Sequence, residues 1–101
     1  MRELILDWRA ENELIDALVL HSRKWSGNGR DLHKEFLEAF EDLRANPKRF
    51  SPYKRGFRFC IPKDLPYVIY FLELPSAVWI VSISHNRRRP NYWMRRKPPR
   101  L

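Results

Sequence analysis

The chain has 101 residues, which is enough for one folded domain and too few for two. Hydrophobic residues make up 44% and charged residues 32%, with only 3 glycines, so the composition excludes a disordered tail. Lys and Arg number 20 against 12 Asp and Glu, and a net charge of +8 on a small domain favours polyanions or acidic proteins as partners. We therefore expect a single domain over residues 1–101.

Charge is distributed unevenly along the chain. Residues 1–46 carry 7 basic and 10 acidic side chains, a net charge of −3, whereas residues 47–101 carry 13 basic and 2 acidic ones, a net charge of +11. No acidic residue follows Glu73, and basic residues crowd the positions from Arg87 onward. A difference in sign between two halves indicates an interaction surface, which we place in the second half.

The first predicted elements are a short strand at Leu4–Leu6 and an amphipathic helix from about Arg9 to Lys24. Apolar residues recur in the helix at spacings of three and four, which is the pattern of one buried helical face. The residues assigned to this face are Leu14, Ile15, Leu18 and His21.

A second amphipathic helix follows a turn at residues 25–29. Asn28 or Asp31 is suited to cap its start, because short polar side chains accept hydrogen bonds from the first free N–H groups of a helix. Asn46-Pro47 ends the helix, since a residue before proline avoids helical backbone angles. The side chains assigned to its buried face are Leu32, Phe36, Phe40 and Leu43.

The hydrophobic period then changes from near four to two, which indicates strands. In the first strand Phe57, Phe59 and Ile61 alternate with Arg58 and Cys60, one side faces solvent, and Pro62 ends the run. Tyr67–Leu74 is almost wholly apolar, so it is predicted as a central strand covered on both faces. In the third strand, Ala77–Ser84, the faces are assigned as Trp79, Val81 and Ile83 on one side and Val78 and Ile80 on the other.

These elements predict an α+β domain in which two N-terminal helices pack on a small, mainly antiparallel, twisted β-sheet. The short Pro75-Ser76 connection makes an antiparallel hairpin, and the N-terminal strand is expected to join the sheet. A basic C-terminal tail begins at about residue 94. Tyr92 and Trp93 indicate that the chain just before it folds back onto the body.

The single cysteine, Cys60, cannot form an internal disulfide, so a reducing compartment fits best. Its place in a strand favours a small buried hydrophobe rather than a nucleophile. The apolar stretch Leu4–Leu6 is far too short for a signal peptide, and the run Tyr67–Leu72 is too short to span a membrane. We expect a cytoplasmic protein that does not associate with membranes.

Familiar catalytic and ligand motifs are missing. The sequence has no phosphate-binding glycine loop, no zinc-type Cys/His spacing and no nucleophile elbow, so we expect no metal and no cofactor. A cluster of basic and aromatic residues remains, at the end of the last strand and on the strand and loop beside it. Such a set suits phosphate binding and stacking on an unpaired base. The predicted nucleic-acid-binding or partner-binding residues are Lys54, Arg55, Lys63, Arg88, Arg89, Trp93, Arg95 and Arg96.

The same cluster contains groups that RNA cleavage requires. His85 and Tyr92 are candidates for the acid and the base, and Arg87 and Arg58 for stabilising the charge that develops on the phosphate. Structural roles compete with these assignments. A histidine at a strand end often serves as a hydrogen-bonding residue, the aromatic pair at 92 and 93 can cover the edge of the core, and a basic loop is usually solvated.

Three segments together resemble the RelE/ParE superfamily of toxins from type II toxin–antitoxin systems. They are Asn46-Pro47-Lys48-Arg49-Phe50, the strand Pro-Tyr-Val-Ile-Tyr-Phe at residues 66–71, and a last strand that runs into His-x-x-Arg-x-Pro-x-Tyr-Trp at residues 85–93. The resemblance covers nearly the whole chain, and the last segment is its most specific part.

The resemblance implies a bacterial cytoplasmic toxin that arrests growth, acts in plasmid stabilisation and is neutralised by a cognate acidic antitoxin. RelE-like members are mRNA interferases that cleave messenger RNA on the ribosome without a metal, whereas ParE-like members poison DNA gyrase. The string from His85 to Pro90 looks more like the ParE ending, while Tyr92 lies where the ribonuclease branch would want it. Our leading hypothesis is ribosome-dependent mRNA cleavage; the alternatives are a gyrase poison and a non-toxic basic module that binds RNA or protein.

Overall fold

The chain folds into two helices and a five-stranded mixed sheet in a computed structural model that describes residues 2–25, 32–63 and 65–99. The strands are β1 (Glu3–Leu6), β2 (Ser51–Pro52), β3 (Arg58–Cys60), β4 (Tyr67–Glu73) and β5 (Ala77–His85), and the helices are α1 (Trp8–Trp25) and α2 (Leu32–Ala45). The strand order across the sheet is β1-β5-β4-β3-β2. The α+β class is confirmed, and α2 ends at Ala45, directly before Asn46-Pro47, as predicted.

The structure differs from the predicted architecture in two details. The helices are not both at the N-terminus, because β1 precedes α1 and α2 begins only at residue 32. The sheet is mixed and not purely antiparallel: β1 runs parallel to β5, while the other three neighbouring pairs are antiparallel, as a mainly antiparallel sheet requires. A hairpin forces neighbouring strands to be antiparallel, but the long helical connection after β1 leaves its direction unconstrained.

Asp7 fixes the start of α1 against the sheet. Its Oδ1 accepts the backbone N–H of Arg9 at 3.0 Å, as a helix cap does, and its carboxylate pairs with the Arg9 guanidinium at 2.8 and 2.9 Å. The indole N–H of Trp79 on β5 donates to the other carboxylate oxygen at 3.2 Å. Burial raises the pKa of Asp7, but the hydrogen bonds and charge of Arg9 and the bond from Trp79 outweigh this, so the pKa is lowered.

Both helices pack on one face of the sheet, which we call the helix face. Its core joins buried helical residues such as Leu14, Phe36 and Leu43 to Ile69 of β4. Ile15 is 49% exposed, contrary to the predicted helix stripe, because it lies about 100° around the helix from Leu14, on the side away from the core. The proposed caps Asn28 and Asp31, and the side chain of His21, lie outside the described residues. Neither helix in the described part of the chain is long and apolar enough to cross a membrane.

The opposite face of the sheet, which we call the tail face, is covered without a helix. Its buried residues are Phe57, Trp79, Val81 and Trp93. Trp93 is 1% exposed; its ring stacks on Tyr70, with centroids 4.4 Å apart, and meets Phe57 edge-on at 5.0 Å. The predicted return of the chain onto the body at residues 92 and 93 is therefore confirmed.

An irregularity in β5 changes which residues face the helices. Tyr70 pairs with Ser82, but its neighbour Phe71 pairs with Ile80, so Val81 is an extra residue in β5. Such a bulge puts the following residues on the opposite faces from those that simple alternation predicts. Ile83 consequently belongs to the helix face, not to the side of Trp79 to which it was assigned.

The alternation predicted for β3 also fails at its end. Cys60 is buried on the helix face, whereas Ile61, which lies beyond the last residue of the strand, is 60% exposed. Burial, together with the charge of Asp42, raises the pKa of the Cys60 thiol to about 11. The thiol is therefore protonated at neutral pH, in agreement with the prediction that Cys60 is a small buried residue and not a nucleophile.

Candidate functional site: a basic groove on the tail face

A groove of about 590 Å³ lies where the loop before β3 meets the chain after β5. We call it the basic groove. Four cationic side chains line it, and none of the described residues that line it is acidic. The lining residues are Lys54, Arg55, Arg89, Pro90, Asn91, Tyr92, Met94 and Arg95. Four cations in one concave surface favour binding of a polyanion or an acidic protein surface.

One wall of the basic groove is a tight loop. The backbone N–H of Tyr53 donates to the carbonyl of Phe57 at 2.7 Å, and the N–H of Phe57 donates to the carbonyl of Lys54 at 3.1 Å. Arg55 and Gly56 between them have positive φ values of 58° and 84°. This reversal keeps Lys54 and Arg55 exposed above the sheet, where both side chains reach the groove.

The other wall is the chain after β5, and one polar contact joins the two walls. The Tyr53 hydroxyl donates to Oδ1 of Asn91 at 2.5 Å. Asn91 has a φ of 61°, a left-handed conformation that asparagine tolerates better than most residues. Arg89 and Arg95 are exposed on either side of this turn.

Glu13 of α1 anchors the tail wall from behind. Its Oε1 accepts the N–H of Ile83 at 3.1 Å and Nη1 of Arg96 at 3.0 Å, while Oε2 accepts the Tyr92 hydroxyl. Arg96 also donates to the carbonyl of Val81 at 2.8 Å. β1 pairs with β5 only as far as Ile80, so Glu13 and Arg96 satisfy backbone groups on the edge of β5 beyond it.

Tyr92 lies between the basic groove and this anchor. The guanidinium carbon of Arg88 lies 4.1 Å from its ring centroid, and that of Arg96 lies 5.3 Å from it. Burial raises the pKa of Tyr92, and the hydrogen bond to the Glu13 carboxylate raises it further. The hydroxyl is therefore protonated at neutral pH, a state that can donate a proton but cannot take one.

The four predicted catalytic residues occupy separate places. Arg58 donates to the carbonyl of Phe50 at 2.7 Å. Its partner on β4 is Phe71, whereas that of His85 is Tyr67, so the two side chains start about 13 Å apart along the strand. Nδ1 of His85 accepts the backbone N–H of Arg87 at 3.1 Å, and Arg87 is exposed. Of the four, only Tyr92 lines the basic groove; Arg58, His85 and Arg87 do not.

The predicted binding residues divide into two groups. Lys54, Arg55, Arg89 and Arg95 meet in the basic groove. Outside it, Lys63 is exposed in the loop after β3, Arg88 packs on Tyr92, Arg96 pairs with Glu13, and Trp93 is buried. The ring of Trp93 therefore offers no free face to a base, and we omit it from the proposed contact surface.

Sequence reasoning missed three residues of this region. In the sequence, Glu13 is indistinguishable from the other polar residues on the exposed side of α1. Its hydrogen-bond partners lie 70 to 83 residues further along the chain, so no local pattern indicates them. Asn91 and Met94 carry no charge and form no motif. The positive charge of the tail was a signal that some carboxylate should meet it, but nothing in the spacing selects Glu13. In residues 2–25, 32–63 and 65–99 no group of three or more His, Cys, Asp or Glu side chains is arranged to hold a metal ion.

The fold and the site define a class: a small α+β domain with four cations in one groove of its described residues, an arrangement that suits an anionic partner. A comparison with protein families is more specific: the family model described as ParE toxin of type II toxin–antitoxin system, parDE, matches residues 4–90. The chain belongs to this family, which confirms the RelE/ParE superfamily assignment and implies an antitoxin as partner. No curated protein matches the chain. The match stops at Pro90, so much of the tail wall of the basic groove lies outside it.

Proposed function

We propose that the protein is a growth-arresting toxin that engages DNA gyrase through the basic groove. The observation that carries the proposal is the convergence of Lys54, Arg55, Arg89 and Arg95 on one surface, in a chain of the ParE family. The DNA that gyrase binds presents phosphates, and exposed cations both steer and hold such anionic partners. Both gyrase and the antitoxin are cytoplasmic partners, so we propose that the protein works in the cytoplasm.

Ribosome-dependent mRNA cleavage, the leading hypothesis from the sequence, is the second candidate. In its favour, the hydroxyl of Tyr92 lies beside two guanidinium groups at the edge of the basic groove, as a proton donor to a departing oxygen would. We rank it second for two reasons. The Tyr92 hydroxyl is engaged by Glu13, and the candidate base His85 lines a different cavity.

The contact surface is tested by charge reversal in bacteria that express the chain without an antitoxin. We expect the double variant R89E/R95E to abolish growth arrest, because it removes two of the four groove cations. The matched control is K48E/R49E, which reverses two exposed charges that line a separate cleft. Arrest by both variants would contradict a role for the groove. Normal growth with the unmodified chain at good expression would favour the non-toxic module.

The target is tested by what breaks first after induction. A gyrase poison produces DNA breaks and altered plasmid supercoiling before messages decay. Cleaved messages in cells with intact DNA would overturn the gyrase proposal in favour of the second candidate. The double variant H85A/R87A adds a check, since we expect it to arrest growth as a gyrase poison, whereas the ribonuclease mechanism requires both residues.

A further inference from the structure

We call the chain after β5, residues 86–96, the tail segment; a second cavity, distinct from the basic groove, lies at its start. It lies between α1 and the paired ends of β4 and β5, and its volume is about 170 Å³. We call it the helix-end pocket. We propose that this pocket anchors the antitoxin by taking one apolar side chain that has an acidic neighbour. The proposal depends on the family membership and not on which target the toxin attacks.

The floor of the helix-end pocket is apolar and already buried. Ala17 and Ile83 are each 2% exposed and Tyr67 is 5% exposed, so they form a preorganised surface. Leu20 lines the same pocket but is 62% exposed, a large apolar side chain in water at the mouth of an apolar cavity. A cavity of about 150 Å³ can hold a benzene molecule, so this pocket has room for one branched aliphatic or aromatic side chain.

Charge at the rim selects the chemistry of the occupant. Arg88 lines the β5 side, and Arg87 is exposed next to it in the chain. Asp16 lines the α1 side, while the nearby Glu13 carboxylate is paired with Arg96. A segment whose apolar anchor precedes or follows an acidic residue therefore has one favourable orientation, with its carboxylate toward Arg88. The pocket suits a protein segment with one acidic residue better than a polyanion, because Asp16 lines the same pocket as Arg88 and would repel further negative charge.

The two sites adjoin through a single aromatic ring. Arg88 of the helix-end pocket packs on Tyr92, and Tyr92 lines the basic groove. An antitoxin anchored in the pocket therefore lies next to the groove without needing the groove cations for its affinity. Separate contact residues for antitoxin and target are the consequence that can be tested.

The experiment measures the affinity of the purified chain for the protein encoded by the reading frame that adjoins its gene, by titration calorimetry. We expect L20E and R88E each to weaken binding by about tenfold or more, since each removes part of an anchor site. The matched control is V19E, because Val19 is 67% exposed on the same helix and does not line the pocket. We expect V19E to bind within about twofold of the unmodified chain. Equal melting temperatures of L20E and V19E establish that both are folded.

Four outcomes separate this proposal from the proposed function. Antitoxin binding that survives L20E and R88E overturns the anchor site. Binding lost in R89E/R95E but retained in L20E also overturns it, because the antitoxin then sits in the basic groove. A single-stranded DNA oligonucleotide that binds the unmodified chain and not L20E assigns the pocket to a base instead. Growth arrest by L20E without antitoxin reports on the proposed function alone, since the pocket has no part in that function.

Discussion

The two faces of the sheet are closed in different ways. On the helix face two amphipathic helices bury a continuous core that runs from Ala10 in α1 to Ile83 in β5. On the tail face an irregular segment does the same work with a few large aromatic rings, of which Trp93 is the most central. The segment that closes the tail face also carries Arg89 and Arg95. On the tail face, one segment therefore contributes both to the stability of the fold and to the cationic surface. The helices of the helix face contribute to stability but carry none of the cations that line the groove.

Removal of Trp93 is the strongest test of that comparison. We expect Trp93→Ala to lower the free energy of unfolding by about 3–5 kcal/mol, as for other large buried aromatic residues. Because Trp93 holds the tail segment, we also expect trypsin to cleave after Arg95 and Arg96 in the folded variant. The control is Phe36→Ala on the helix face, with a similar stability loss in urea but a protected tail. Identical trypsin patterns for the two variants would contradict the proposed role of Trp93.

The anchor of the tail segment on α1 ranks second. Glu13 and Arg96 form an ion pair whose side chains are 11% and 14% exposed. Glu13→Gln keeps an acceptor for the N–H of Ile83 but leaves the guanidinium without its counter-charge, so we expect a loss of about 2 kcal/mol. Urea unfolding of Glu13→Gln, Arg96→Met and the double variant gives the coupling energy. Additive losses would show that the pair does not act as a unit.

The start of α1 gives a pH-dependent prediction. The pKa of Asp7 is lowered in the folded protein, so its stabilisation is present above the unfolded pKa of about 3.9 and is lost as the pH falls through the folded value. We expect Asp7→Asn to cost about 1–2 kcal/mol at pH 7, because the cap survives and the charge is lost. The difference in melting temperature from the unmodified chain should shrink below pH 4. A difference that grows on acidification would contradict the assigned sign.

The loop wall of the basic groove gives the smallest expected effect. Gly56 has a φ of +84°, and a Cβ built there meets only Leu72 Cδ1, at an ordinary 3.9 Å. The cost of Gly56→Ala is therefore conformational, about 1 kcal/mol in urea unfolding. Gly56→Asn is the matched control, since asparagine enters this region more easily and should cost less. A larger loss for Asn than for Ala would point to a contact rather than to the backbone.

Local patterns account for what the sequence predicted correctly. The repeat of Phe36 and Phe40 and the stop at Asn46-Pro47 depend on neighbours within a few positions, and the structure confirms both. The face of Ile83 depends on an extra residue in β5 relative to β4, and the direction of β1 depends on a strand more than 70 residues away. Pairing between distant strands leaves no periodic trace in one sequence, so these features were out of reach.

The candidate site was predictable in kind but not in assembly. The excess of Lys and Arg after residue 47 identified the cations that line the basic groove. Which of them meet follows from the path of the tail segment, and that path is set by the burial of Trp93 and by Glu13. A count of charges cannot distinguish Arg95, which lines the groove, from its neighbour Arg96, which forms an ion pair with Glu13.

The position of the tail wall has a consequence for biosynthesis. Polypeptides are made from the N-terminus, and domains begin to fold as they emerge. The helix face draws on residues up to Ile83, whereas the basic groove also needs Arg89 to Arg95, which are made after Ile83. An unfinished chain therefore holds most of its core without a complete groove. The cationic surface is therefore completed after the helix face, and an inhibitor has nothing complete to cover there until Arg95 has been made.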